Sequence, residues 1–577
     1  MSTSLSRAWA RVGALLPGRA DVFAMRRAPR RDLLAGFTVA VVALPLALGF
    51  GISSGLGAEA GLATAVVAGV VAAVFGGSNL QVSGPTGAMT VVLVPIVHEY
   101  GANGVLTVGF LAGLLLIALA FARAGRYMAY IPAPVVEGFT LGIAGVIALQ
   151  QVPTALGVPK PEGDNTAVVA WRALEAFARE PHGPALALAG SVAMAMLLGA
   201  RRWPTVPFSL PAVAAATVLA QTAHLDVVRI GALPTGLPAP DLGFVEVGAL
   251  SSLLAPAVAV AALAALESLL SATVADGMTV GQKHDPDREL FGQGIANLAV
   301  PLFGGVPATA AIARTAVNVR TGAASRLAAI THAVVLAAVV FAAAPLVAKI
   351  PLPALAGVLL ATAIRMVEVR SVRAMARATG SDALILALTA AATLALDLVK
   401  AVVLGLLVAG MLALRAVAMN IRVENVPLRA DLTEDHSAEE HALLAEHIVA
   451  YRLDGPLFFA AAHRFLAELS QVTDAHAVIL RMSRVSTLDA SGALVLKEVV
   501  ERLEHRGIAV YVSGIRPDHH RTIDALGVMD RLRAEGRVLA STPEAIAAAR
   551  RHLYSAGLLP PDPGEQPRED ARLEQAQ

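Results

Sequence analysis

Phe303-Gly304-Gly305-Val306-Pro307-Ala308-Thr309-Ala310-Ala311-Ile312-Ala313-Arg314 interrupts a long apolar region with residues that break helices. In a bilayer, non-helical backbone is tolerated only where protein buries it or where it lines a water-filled cavity. A helix restarting after such a break points its unpaired amides into that cavity, and amides so placed attract anions. The pattern has an upstream counterpart. Phe75-Gly76-Gly77 is followed by Ser83-Gly84-Pro85-Thr86-Gly87-Ala88-Met89 and another apolar run, the two Phe-Gly-Gly triplets lying 228 residues apart. Paired Gly/Pro-interrupted segments at corresponding places in two halves point to a transporter's binding site.

Composition agrees with a membrane environment. Of the 577 residues 56% are apolar and only 15% charged, with a mean hydropathy of +0.65, which excludes an ordinary soluble chain of this length. The net charge of +1 says little about partners, because in membrane proteins the placement of Lys and Arg outweighs their sum. The absence of cysteine removes disulfides and thiol chemistry.

Residues 1–31 hold seven arginines and no adequate apolar stretch, and read as a cytoplasmic leader rather than a cleaved signal peptide. Apolar spans follow at 33–55, 60–76, 86–97, 105–122, 132–150, 185–200, 206–222, 253–276, 289–302, 309–319, 327–348, 354–366, 381–397 and 399–419, about fourteen in all. The third and tenth are too short to cross alone, as half-helices meeting near the midplane would be. With the N-terminus inside, the loops holding Arg123 with Arg126, Arg201 with Arg202, Lys283 with Arg288, Arg320 with Arg326, and Arg365 through Arg377 all fall in the cytoplasm. The C-terminus returns to the same side. The outside loop 151–184 is mixed in charge.

After Arg422 the chain turns soluble. β-type runs at Ile448–Arg452, Leu457–Phe459, Ala477–Arg481 and Ala509–Ser513 alternate with helical patterns at 461–470, 490–506, 517–526 and 543–553, which describes a small α/β domain over 437–554. The tail at 555–577, rich in Pro, Glu, Asp and Gln, suits disorder.

Several motifs resemble the SulP family of anion transporters over roughly residues 30–420. They are Asp32-Leu33-Leu34-Ala35-Gly36 with Ala43-Leu44-Pro45, Ser83-Gly84-Pro85-Thr86, Gly292-Gln293-Gly294-Ile295-Ala296-Asn297, and Phe303-Gly304-Gly305 through Ala313-Arg314-Thr315-Ala316-Val317-Asn318. The C-terminal part is similar to the STAS domain that follows this membrane unit in the family, with Leu488-Asp489-Ala490-Ser491-Gly492 at its Asp-x-Ser/Thr-Gly turn. The resemblance implies a membrane domain over 32–420 built as two inverted repeats of seven segments. It also implies a core of segments 1–4 and 8–11, a gate of 5–7 and 12–14, an elevator motion of one against the other, and a homodimer in the cell inner membrane.

The residues that would carry the chemistry follow. Thr86, Gly87, Ala88 and Met89 are expected to begin one half-helix and Thr309, Ala310, Ala311 and Ile312 the other. Each helix end presents about half a positive charge, so together with Arg314 they place about +2 around an anion. Small residues let a ligand reach the amides; the bland reading is that they serve close helix packing. Phe50 matches an aromatic lining the family's anion site, while Leu46 replaces a glutamine common there. Glu267, mid-segment, is costly when ionised and so a functional candidate. The resemblance assigns it the coupling-ion position and glutamate favours protons; the alternative is a structural pair with Arg314. His332 reads as a satisfied packing residue, Asp276 and Asp397 as solvated at segment ends, Asn297 and Asn318 as interhelical bonds, and Ser491 as part of a helix cap or a phosphorylation position.

No metal-ligand cluster or nucleophile triad is evident, so an enzyme, a cofactor and nucleic-acid binding are not expected. The leading expectation is proton-coupled symport of a C4-dicarboxylate, from the likeness of 308–314 and 318–320 to that branch. Sulfate or bicarbonate transport and an uncoupled channel or exchanger are the alternatives.

Overall fold

The computed structural model describes the chain except residues 1–12, 14, 164, 204–205, 235, 246, 280–281, 397, 420–421, 427–446, 459–474 and 559–577. Two compact units result, Met1–Ala409 and Gly410–Gln577.

The first unit begins with a short helix α1 (Arg19–Arg27) and continues into α2 (Pro29–Ser53) and α3 (Ala58–Phe75). A two-residue strand β1 (Ser83–Gly84) leads into α4 (Gly87–Phe121). Then come α5 (Ala133–Leu156), α6 (Thr166–Arg179), α7 (Gly183–Arg202) and α8 (Ser209–Thr222). The second half repeats the order with α9 (Leu250–Gly277), α10 (Pro286–Leu302), β2 (Thr309–Ala310), α11 (Ile312–Arg320), α12 (Leu327–Val347), α13 (Leu352–Met366), α14 (Val369–Ala378) and α15 (Gly380–Ala395), and α16 (Leu398–Met419) runs across the boundary of the two units. Among the described residues, nine helices are long and apolar enough to cross a membrane. Every apolar span of the sequence falls in a helix, and the protein is a multi-pass helical membrane protein.

Three local expectations change. Spans 86–97 and 105–122 join without a loop as α4, which breaks only at Gly101, where φ is 68° and a side chain would be strained. Residues 166–179 inside the supposed outer loop form α6, capped by the Asn165 carboxamide on the Ala167 and Val168 amides. The arginine-rich stretch after Met366 forms α14, with Arg370, Arg373 and Arg377 on one face.

Packing sorts the helices into two bundles. α2, α3, α4, α9, α10, α11 and α12 pack on one another as a core bundle, whereas α5, α7, α8, α13 and α15 form a gate bundle, joined to the core mainly through α2 and α4. Side chains at helix ends lock the core. Asp32, fully buried, accepts from the Ala324 and Ser325 amides and the Ser325 hydroxyl. Arg326 donates to the carbonyls of Ala73, Val74 and Gly76, satisfying the orphan acceptors at the end of α3. Glu289 does the converse for the Gly77 and Ser78 amides, at 2.9 and 3.2 Å.

The second unit is an α/β domain. Its sheet runs β3 (Arg422–Val426), β4 (Ile448–Leu457), β5 (Ala477–Leu488), β6 (Ala509–Ser513) and β7 (Val538–Leu539) in that order, antiparallel between β3 and β4 and parallel elsewhere. Its helices are α17 (Ala490–His505), α18 (Pro517–Ala525), α19 (Asp530–Ala534) and α20 (Thr542–Ser555). Where β5 and β6 are covered on both faces, over Ala477–Leu480 and Ala509–Val512, their sequences are continuously apolar: Val478, Leu480, Val510 and Val512 meet Leu496 and Val499, while Ile479 and Tyr511 meet Ile546 and Leu553. The strands β3 and β7 were not anticipated, and β4 spans two of the expected runs. The helical pattern at 461–470, Phe459, Asp397 and the tail from 559 lie outside the described residues.

Candidate anion site

The two broken segments meet where the sequence pairs them. β1 and β2 are antiparallel, Ser83 opposite Ala310 and Gly84 opposite Thr309, and each strand runs straight into a half-helix. Two side-by-side antiparallel strands necessarily bring the helix starts together from opposite directions. Ala311 extends the ladder by donating to the Val82 carbonyl at 3.1 Å.

The two starts are not equivalent. Thr86 is the N-cap of α4, in extended conformation with its hydroxyl accepting from the Met89 amide at 3.4 Å. Ala311 caps α11 and has no side chain able to accept, so the first-turn amides there await another partner. Thr309 and Ala310, expected in the first turn of this helix, belong to β2, because the ladder with β1 takes up their backbone; the helix starts at Ile312. The Thr309 hydroxyl instead donates to the Ala264 carbonyl at 3.3 Å, one turn before Glu267 on α9.

Glu267 is half-buried and receives the Thr86 hydroxyl on Oε2 at 2.9 Å. Thr86 therefore ties that carboxylate to the half-helix cap through a single oxygen. Arg314, 1% exposed, donates from Nη2 to the Pro85 carbonyl at 2.8 Å, while its buried Nη1 has no hydrogen-bond partner. A Cβ on Gly84 would stand 2.6 Å from that nitrogen. Glu267 and Arg314 form no ion pair within the described residues, so the carboxylate is held by a hydroxyl rather than by the guanidinium.

Phe50, buried on α2, closes over the start of α4. A Cβ on Gly87 would lie 3.1 Å from the Phe50 ring and collide with the tip of Ile147 of α5, so a side chain here would have to push Ile147 aside. Ala88 and Met89 are buried behind it, whereas Ile312 is 38% exposed. Phe50, Thr86, Gly87, Glu267 and Arg314 thus surround the paired helix starts, with Ile147 contributed by the gate.

A scaffold of buried polar side chains, not singled out as site residues from sequence, holds the connection into β1. Gln81 donates to the Ser268 carbonyl, Asn318 to that of Leu80, and Gln293 to the Ser83 hydroxyl, while Thr315 accepts from the Val82 amide. Asn297 brackets Ala308, donating to its carbonyl and accepting from its amide. The signal was available for Gln293, Asn297, Thr315 and Asn318, each a polar residue inside an apolar span, but not for Gln81, which lies between spans. His332 is fully buried, yet neither ring nitrogen has a partner, so it is packed but not satisfied as expected. Asp276 is not merely solvated: its carboxylate holds the His284 amide and ring at 2.8–3.2 Å. Asp489 caps α17 on the Gly492 amide, and Ser491 beside it is exposed.

Facing broken helices inside a two-bundle helical membrane unit, followed by an α/β domain, define a transporter class. A model described as the sulfate permease family matches residues 30–389, and a STAS domain model matches 442–543. The chain belongs to the sulfate permease family. It is 34% identical to the putative sulfate transporter YvdB of Bacillus subtilis (strain 168), over 87% of this chain and 94% of that protein. It is 30% identical to the bicarbonate transporter BicA of Picosynechococcus sp., over 91% and 95%. The solved transmembrane domain of a cyanobacterial BicA matches at 32% identity with a TM-score of 0.60, covering 67% of this chain and 98% of that one. The structure of SLC26A9 shares the fold at a TM-score of 0.79 and 16% identity, over 95% and 94%. The protein is an anion transporter and not an enzyme.

Proposed function

We propose that the protein is a secondary transporter of a small inorganic oxyanion, with sulfate as the substrate and a proton as the coupling ion, bound between the starts of α4 and α11. The names of the relatives support sulfate or bicarbonate, and none of those compared supports the narrower expectation of a C4-dicarboxylate. Two helix ends and Arg314 supply about +2, from which an ionised Glu267 subtracts one. Protonation of Glu267 restores the match to a dianion such as sulfate, and it is this arithmetic that favours sulfate over monovalent bicarbonate.

The observation that carries this reading is the Thr86 hydroxyl, which serves the Met89 amide and the Glu267 carboxylate at once. Protonation of Glu267 weakens Oε2 as an acceptor for this hydroxyl and so acts on the cap of the anion-binding helix. Anion and proton then raise each other's affinity, as linkage requires. The core bundle moves against the gate as one body, with both termini cytoplasmic in the plasma membrane. The test is uptake of labelled sulfate, bicarbonate and fumarate into proteoliposomes, each with and without an inward proton gradient. Gradient-driven sulfate accumulation is expected. Accumulation of fumarate in preference to sulfate restores the dicarboxylate reading, and sulfate flux indifferent to the gradient removes the coupling role of Glu267.

A further inference from the structure

A cavity of about 380 Å³ lies between the bundles, at the end of the membrane unit where α2 finishes. Its walls come from the end of α2 and the first half of α4 on the core side, and from the end of α5 with the starts of α6 and α13 on the gate side. It is lined by residues adjoining those of the anion site. Gly49, the residue before Phe50, is in its wall against Leu359, and Gln150 and Gln151 stand one turn beyond Ile147 on α5. The ionisable groups among the described lining residues are Lys160 and His98, both exposed, and none is a carboxylate. The cavity is wet. The buried carboxamide oxygen of Gln150 has no partner in the chain, and such groups are satisfied by water. Across its floor the Gln151 carboxamide donates to the Ser53 hydroxyl at 3.1 Å, a direct bond between gate and core.

We infer that this cavity is a second anion-binding site, an outward-facing antechamber in which Lys160 and His98 gather the oxyanion before it passes Phe50, with the Gln151–Ser53 bond fastening the two bundles beneath it. A cleft lined by one sign of charge between low-dielectric walls concentrates the opposite charge. Lys160 supplies a fixed positive charge at the rim, and the neutral amides and hydroxyls below it hold the anion without trapping it. The use of the site in transport rests on the reading given above; its charge preference does not.

The chain has no cysteine, so a single introduced thiol reports on its surroundings without interference. Thr154→Cys places one in the cavity wall, one turn beyond Gln150. Impermeant thiol reagents of opposite charge are added outside intact cells, with rates normalised to a free thiol in solution. The negatively charged reagent is expected to react faster than the positive one, by roughly tenfold. Lys160→Gln together with His98→Gln should erase that preference, Lys160→Arg should keep it, and external sulfate should slow the reaction. Equal normalised rates for the two reagents, a preference unchanged in the double variant, or no labelling from outside overturns the antechamber. A clear preference in a protein whose purified form takes up no sulfate or bicarbonate upholds the site while removing the transport reading.

Discussion

The core and gate bundles are made of helices of similar length and apolarity, yet they bury different things. Among the described residues, every buried charged side chain of the membrane unit lies in the core bundle or the turns that join its helices: Asp32, Glu289, Arg314 and Arg326, with His332 beside them. The gate helices bury only Gln151, Ser209, Thr217, Thr389 and Thr393 among polar residues. Most of these gate hydroxyls bond back to their own helix, as Thr217, Thr389 and Thr393 do to Val213, Ile385 and Thr389. The core's polar groups instead bond across helices to the broken backbone. Breaking a helix inside a membrane leaves amides and carbonyls that something must satisfy, and the core is where that is done. Among the described residues, the gate has no such breaks to satisfy.

The contrast breaks most visibly at Arg326. Arg326→Met orphans the carbonyls at the end of α3 and leaves Asp21 with one partner fewer, which should cost about 3–5 kcal/mol. Thermal unfolding in detergent measures it, and a variant as stable as the parent would mean that the core's polar ties are ornamental. Arg314→Ala keeps the fold but weakens anion binding, and because the lost charge acts twice as strongly on a dianion, the fold-loss for sulfate should be about the square of that for nitrate. Equal losses in a calorimetric titration would move Arg314 away from the anion.

Glu267→Gln imitates the protonated carboxyl. It should still exchange sulfate but lose its response to an imposed pH gradient, which in the parent is worth roughly tenfold per pH unit with the membrane potential clamped. Retained proton-driven accumulation would return Glu267 to a structural role.

Asp21 tests the core's cytoplasmic edge. Burial by itself pushes its carboxyl up, but the Arg288 guanidinium at 2.7 Å, the Gly18 amide and Arg326 outweigh it and hold the pKa below its ordinary value. A depressed pKa stabilises the fold fully above the unfolded value of about 3.9, and the contribution is lost as pH falls through the folded one. Asp21→Asn should therefore cost about 1–2 kcal/mol at neutral pH, and the gap between variant and parent melting temperatures should narrow towards about pH 3. The smallest effect belongs to the gate, where Thr389→Val removes a hydroxyl already bonded within its own helix and should change stability by less than about 1 kcal/mol.

Much of this was legible in residue order. Bilayer thickness fixes how many apolar residues make a span, so each span was found, and the paired Phe-Gly-Gly breaks marked where the two halves meet. Glycine and proline declare a break locally, because their backbone limits hold in any context. The expected start of the second half-helix was two to three residues early. Whether Thr309 and Ala310 coil or pair depends on β1, more than two hundred residues away. Amphipathic helices α6 and α14 were missed for a related reason, being too short and too charged to register as spans. What the sequence by itself determined was the solvent of each segment, since hydropathy is a sum over neighbours in the chain. Only the tertiary structure decided that Glu267 bonds Thr86 rather than Arg314, that Gly87 is walled by Phe50 and Ile147, and that Lys160 and His98 share a cavity, because each is a distance between residues the chain keeps far apart.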